Sequence, residues 1–328
     1  MHVGTQHITG ENWENYRVLP QLGVNHVSAN PPGPWQSWDA DVLTQFREQL
    51  ASCGVSLDMM ILPLESGPAR RNSAPHVFLG PSPERDREID QICDLIRNMS
   101  QAGIPGGRYN ITILGHLRTE RRTGRGGATL SSFEYNKLDQ SLGEFEDGAA
   151  DADVMWERID YFLSRVVPVA EEYKIRLASH PQDPGIGART YRGVARVMGT
   201  VEGLKKFVDM HDNPYHGLNF CIGTVSEMLE KPGEEIYDII RYFGERKKLF
   251  NIHFRNIKGG FLNFVEVFPD EGDVNMLKAL RTLKAVDYPY MVMPDHVPSI
   301  SGEAPGAVGF AYCFGYIHAL MQAIDEES

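Results

Sequence analysis

Apolar and polar positions alternate over eight short β-rich segments. These are VGTQHI from Val3, GVNHVSA from Gly23, VSLDMMIL from Val55, RYNITIL from Arg108, KIRLASH from Lys174, GLNFCIG from Gly217, LFNIHF from Leu249 and PYMVMPD from Pro289. Segments of helical period lie between them. Ile89, Ile92, Cys93, Ile96 and Met99 share one face of a stretch opened by Ser82-Pro83-Glu84 and closed by Gly103. A Ser cap, a Pro in the first turn and a terminal Gly frame an amphipathic helix that packs on a sheet. The stretch 151–173 repeats the pattern with Val154, Ile159, Phe162, Leu163 and Val166, and Pro168 is expected to end or kink it. Further helices are read at 39–53, 201–211, 234–243, 273–286 and 308–324.

Strands that alternate with helices imply parallel βαβ units, and eight such units imply closure into a (β/α)8 TIM barrel. No GxGxxG follows the first strand, which removes the main support for a dinucleotide-binding sheet. No linker divides the chain, so 1–328 reads as a single barrel domain. The long irregular stretch 115–150 follows the fourth strand and carries Arg118, Arg121, Arg122 and Arg125 with Gly124, Gly126 and Gly127. It reads as an inserted lid.

Composition narrows the partners. The 328 residues are 42% hydrophobic and 23% charged, with a formal net charge of -12 and no isolated basic run. That argues against nucleic acid and anionic membranes and for a small-molecule ligand. The opening MHVGTQHITG lacks the pattern of a secretion signal, and no apolar run reads as a bilayer span of roughly 20 residues. Cys53, Cys93, Cys221 and Cys313 form no CxxC pair, which fits reduced thiols in a soluble, cytoplasmic protein. Cys53 and Cys93 fall in helical patterns and read as packing residues.

Cys221 differs. In a β/α barrel the reactive groups stand at the carboxyl ends of the strands, where the loops converge on one mouth. Four consecutive strands end in metal-type ligands, namely His180, Cys221, His253 and Asp295. Their separations of 41, 32 and 42 residues are each about one βα unit. Imidazole, thiolate and carboxylate bind divalent transition metals. On softness this set suits zinc, iron or cobalt, and an open mouth with room for substrate oxygens also suits manganese. Asp183, in HPQDPG, is placed to support a ligand or to cap a turn. Arg255, two residues beyond His253, is placed to clamp a carboxylate or to close a structural ion pair. His296, next to Asp295, is placed for acid or base work or for solvent. The acids of PDEGDVNM from Pro269 read as cap and turn residues.

In these motifs the chain resembles mannonate dehydratase, a family of xylose isomerase-like barrels in sugar-acid catabolism. The resemblance spans nearly the whole chain. It rests on PPG near Pro31, GRYNITIL with Arg118-Thr119, HPQDPG at His180, FCIGT at Cys221, HFRN at His253, EGDVNM at Glu271 and PDH at Pro294. It implies that His180, Cys221, His253 and Asp295 hold manganese and that Arg118, Arg255 and Asp183 face the substrate. It also implies dehydration of D-mannonate to 2-dehydro-3-deoxy-D-gluconate in hexuronate breakdown, by a homodimer. His296 matches the family's acid/base histidine. Where the family carries a PGY tyrosine, this chain reads Pro305-Gly306-Ala307, and Tyr312 is the replacement expected, with Tyr316 beside it. The segment Gly115-His116-Leu117 departs from the family's DWTRT wall. A metal-dependent sugar isomerase or epimerase, and a sugar-acid binding protein without turnover, are the competing readings.

Overall fold

The computed structural model describes residues 1–6 and 13–326. Positions 7 and 8 of the first predicted strand lie outside the described residues. The barrel strands are β1 (His2–Thr5), β2 (His26–Ser28), β3 (Ser56–Ile61), β4 (Gly106–Asn110), β5 (Arg176–His180), β6 (His216–Cys221), β7 (Leu249–His253) and β8 (Met291–Met293). Each pairs in parallel with its chain neighbours, and β8 closes on β1 through His2↔Met291 and Val3↔Val292. All eight coincide with the alternating segments of the sequence. Both faces of these strands are covered, and several read as continuous apolar runs for that reason. Met59, Ala178, Phe250, Met291 and Met293 fill the inside of the barrel. Gly4 is required there, because a Cβ on it would lie 2.7 Å from the Met291 sulfur.

The helices are α1 (Trp13–Gln21), α2 (Ala40–Ser52), α3 (Pro83–Gln101), α4 (Ala152–Tyr173), α5 (Val201–Asp209), α6 (Ile222–Ser226), α7 (Pro232–Glu245), α8 (Met276–Ala285) and α9 (Pro305–Glu326). Ser82 caps α3 by accepting a hydrogen bond from the Arg85 amide, and Pro83 opens the helix. Two expectations need correction. α4 does not stop at Pro168 but continues to Tyr173, since Ile159, Phe162, Leu163, Val166, Val167 and Ala170 are all buried along one face. α9 has 22 residues and a mean hydropathy of 1.3, so by length and composition it is long enough to cross a membrane. Here Cys313, Phe314, Ile317 and Ile324 turn inward and the helix packs on β1, β8 and α8.

The stretch after β4 is more ordered than its composition suggests. Arg121–Thr123 and Thr129–Glu134 form a hairpin, and the second strand pairs antiparallel with Asn263–Val267, which in turn pairs with Asn256–Gly260 after β7. Excursions from two barrel strands therefore merge into one four-stranded sheet at the carboxyl end. Phe133 packs on Phe264, and Arg118 lies over the Phe264 ring at 5.2 Å. The sheet thereby carries Glu266 in toward the mouth.

Candidate metal centre

His180, Cys221 and His253 are the last residues of β5, β6 and β7, and Cys221 stands in direct register with His253. Asp295 follows the end of β8 by two residues. One ligand atom from each of the four lies within 4.8 Å of all the others, and all four residues are buried. The His253 Nδ1 to Asp295 Oδ1 distance is 3.2 Å and the Cys221 Sγ to Asp295 Oδ2 distance is 3.6 Å. These match the edges of a ligand polyhedron with bonds of about 2.0 to 2.3 Å.

The tautomers suit a cation. His180 Nδ1 donates to the Pro181 carbonyl at 2.7 Å, which leaves Nε2 with its lone pair free. His253 Nε2 lies 3.0 Å from Gln6 Oε1 and 3.2 Å from Asn219 Nδ2, and its buried Nδ1 faces Asp295 Oδ1 across 3.2 Å. Burial pulls both imidazoles down to about 4, Asp295 opposing, so they are neutral at physiological pH. Burial pushes Asp295 up, but His253, His296 and Arg255 outweigh it and hold the carboxyl well below the usual range. Gln6 braces the carboxylate, donating to Oδ1 at 3.3 Å. The Cys221 thiol is pushed by burial up to about 12, against the pull of Arg255. It caps α6, accepting from the Thr224 amide at 3.3 Å. A thiol of that acidity ligates only when the ion displaces its proton, so the donor set fits a divalent metal whose binding releases a proton.

Behind the ligands lies a buried charge network. Arg255 is 3% exposed and reaches Asp183 at 3.0 Å, Glu227 at 2.8 Å, Glu266 at 2.7 Å and Asp295 at 3.3 Å. Gly223 makes room for it, since a Cβ there would stand 2.6 Å from Arg255 Nε. Arg118 pairs with Asp183 and Glu266. Asp183 also accepts from Thr224 Oγ1 at 3.1 Å. Asp183 and Arg255 thus pair with one another and with the buried acids. Arg118 keeps a partly exposed side chain at the edge of the same network.

His296 stands at the mouth with 39% of its side chain exposed, Nδ1 3.0 Å from Glu266 Oε2 and Nε2 3.4 Å from Asp295 Oδ2. Burial pushes its pKa down, but the Glu266 and Asp295 carboxylates outweigh that and raise it above the ordinary histidine value. Tyr312 does not join this group. It stacks with Tyr316, meets Phe268 edge-on and faces Arg125 and Asp270. α9 runs past the rim there, and so the tyrosine's contacts are with the insertion rather than with the ligands.

Four contributors escape sequence reasoning. Glu227 and Glu266 complete the arginine cage, and Gln6 orients two ligands. Arg108, in the middle of β4, is buried, donates from Nε to Ser28 Oγ at 3.0 Å and has no carboxylate within ion-pair distance among the described residues. Burial pulls it down to about 10, while the charge of Asp295 opposes. The signal for Arg108 is present in the sequence as a lone cation inside a short buried strand. Glu266 likewise interrupts the apolar alternation of FVEVF.

A family model described as D-mannonate dehydratase (UxuA) matches residues 127–328, more than half of the chain. The chain belongs to the mannonate dehydratase family. Among curated relatives, the mannonate dehydratase of Thermotoga petrophila is 27% identical, covering 88% of this chain and 87% of that one. The Streptococcus uberis mannonate dehydratase is 26% identical over 94% and 95%. The solved structure of mannonate dehydratase from Streptococcus suis serotype 2 superposes with a TM-score of 0.80 at 21% identity, over 99% of this chain and 96% of that one. A xylose isomerase domain protein from Planctomyces limnophilus shares the barrel at a TM-score of 0.60 and 13% identity, covering 99% and 98%. As a member of the mannonate dehydratase family the protein is a hydro-lyase, built on a xylose isomerase-like TIM barrel.

Proposed function

We propose that the protein dehydrates D-mannonate to 2-dehydro-3-deoxy-D-gluconate with one divalent ion, manganese, held by His180, Cys221, His253 and Asp295. The convergence of four ligand atoms within 4.8 Å, in a member of this family, carries the reading. When bound, the ion supplies Lewis-acid stabilisation for the negative charge that develops beside the substrate carboxylate. Arg108 receives that carboxylate, because a buried guanidinium without an ionic partner is an anion site in search of an anion. His296, held protonated by Glu266 and Asp295, delivers the proton to the hydroxyl leaving C3. His116, exposed beside His180 with ring centroids 6.3 Å apart, takes the proton from C2. The arginine cage fixes the Cys221 and Asp295 ligands and leaves substrate recognition to Arg108 and Arg118. Residues 115–150 cover the mouth as a lid within a single domain in this reading. The protein assembles as a homodimer in the same reading, to which the exposed apolar side chains of Val18, Leu22 and Val308 are open.

The test is to strip the protein with a chelator, reload it with Mn(II), incubate it with D-mannonate and assay the 2-keto-3-deoxy acid. Arg108→Met is expected to raise KM by about 100-fold with a smaller change in kcat, as loss of a charge-assisted pair worth roughly 3 kcal/mol would. An epimeric aldonate formed without loss of water would replace this reaction with an epimerisation. Binding without turnover would reduce the protein to a sugar-acid receptor.

A further inference from the structure

At the end of the barrel opposite the candidate metal centre, a second set of ligand groups converges. His2 opens β1, His26 opens β2, and Asp58 is the third residue of β3. The strand register sets Gly4 beside His26 and His26 beside Ser56, which draws the three side chains to the same point on the amino-terminal rim. His2 Nε2 lies 3.0 Å and His26 Nδ1 2.9 Å from the same carboxylate oxygen, Asp58 Oδ2. All three ligand atoms fall within 4.8 Å of one another.

We propose that His2, His26 and Asp58 form a second metal site, for zinc, that staples β1, β2 and β3 where the barrel begins. Tetrahedral zinc with bonds of about 2.0 to 2.1 Å has ligand edges of about 3.3 Å, so the two measured edges need open by only a few tenths of an ångström. Two imidazoles with one carboxylate select zinc over magnesium or calcium, which take oxygen ligands. The carboxylate is held for the task, since Asp58 Oδ1 accepts from Ser56 Oγ at 2.7 Å. The two imidazole rings lie 3.7 Å apart, centroid to centroid, with their planes 31° apart, and must swing outward as an ion enters.

The side chains of His2, His26 and Asp58 are 30%, 31% and 19% exposed, so an ion enters from solvent and water completes its coordination. A groove of about 680 Å³ lined by His26, Asp58, Ser56, Asn25, Arg47 and Glu48 opens onto the site. Its position on the amino-terminal rim makes it structural, away from the strand ends where barrel chemistry is done.

The proposal is tested on the full chain, stripped of metal, dialysed against Zn(II) and measured for bound metal, with Co(II) as a spectroscopic probe. Wild type is expected to retain about two equivalents of zinc, and Asp58→Asn and His26→Gln about one fewer, each keeping the thiolate-to-cobalt charge-transfer band expected from Cys221. Cys221→Ser should lose that band and still bind zinc through His2, His26 and Asp58, with a thermal midpoint that rises on zinc addition. Unchanged zinc content in Asp58→Asn and His26→Gln would overturn the site. So would a Cys221→Ser protein that Asp58→Asn cannot further deplete, and that result decides the matter even if a single variant folds poorly.

Discussion

At the start of β6, His216 is fully buried, with its ring 4.6 Å from Phe207 and Nε2 donating to the Phe207 carbonyl at 2.8 Å. Its Nδ1 has no partner among the described residues, so protonation would place a donor where none of them accepts, and burial pulls the pKa from 6.5 down to about 4. The unfolded chain binds the proton more readily than the folded one. Stability is therefore full above pH 6.5 and declines as pH falls from 6.5 toward 4, by on the order of 3 kcal/mol at most. Replacing His216 with Gln should flatten the stability profile between pH 6.5 and 5 in urea titrations; equal slopes in the two proteins would refute it. At this scale the four candidate ligands are legible in the sequence, because each stands at or just past a strand end and strand ends converge by rule. Arg255 and Asp183 are legible as present but not in what they do, since pairing choices among two arginines and several acids depend on angles that spacing does not encode.

Among the elements, α4 is the one in which a local rule yields to packing. Pro168 cannot donate a backbone hydrogen bond and crowds the preceding turn, yet the helix runs on to Tyr173 because its buried face holds both sides of the proline against the barrel. The conflict is tolerated rather than removed. Pro168→Ala should raise stability to urea by about 1 to 2 kcal/mol, the interior-helix penalty less the entropy that proline removes from the unfolded chain. No gain in the urea midpoint would mean that the helix is already kinked to suit the proline. The strands and most helices are legible because period and caps are local. The sheet formed by 121–134 and 256–267 is not, since its strands lie more than a hundred residues apart and pair only after barrel closure has brought the loops that follow β4 and β7 to one mouth.

For the whole molecule, the ligands join four staves of one closed sheet, so an ion that binds them stabilises the barrel and not one element. Saturation at 100 to 1,000 times Kd adds roughly 3 to 4 kcal/mol, which for a chain of this size is a thermal midpoint about 4 to 6 °C higher. Scanning calorimetry of chelator-stripped protein before and after Mn(II) should show that rise, and Cys221→Ser should lose most of it. A midpoint indifferent to Mn(II) would remove the ion from this site.

By itself the sequence determines the eightfold alternation, the ligand set at four successive strand ends and the membership that these motifs announce, because each is written in local period and composition. Only the tertiary structure decides that Arg255 is sealed among acids, that Arg108 stands buried with no ionic partner among the described residues, that Tyr312 turns to the insertion, and that His2 and His26 share one oxygen of Asp58. These depend on distances between residues far apart in the chain, and closing a sheet on itself is what fixes such distances.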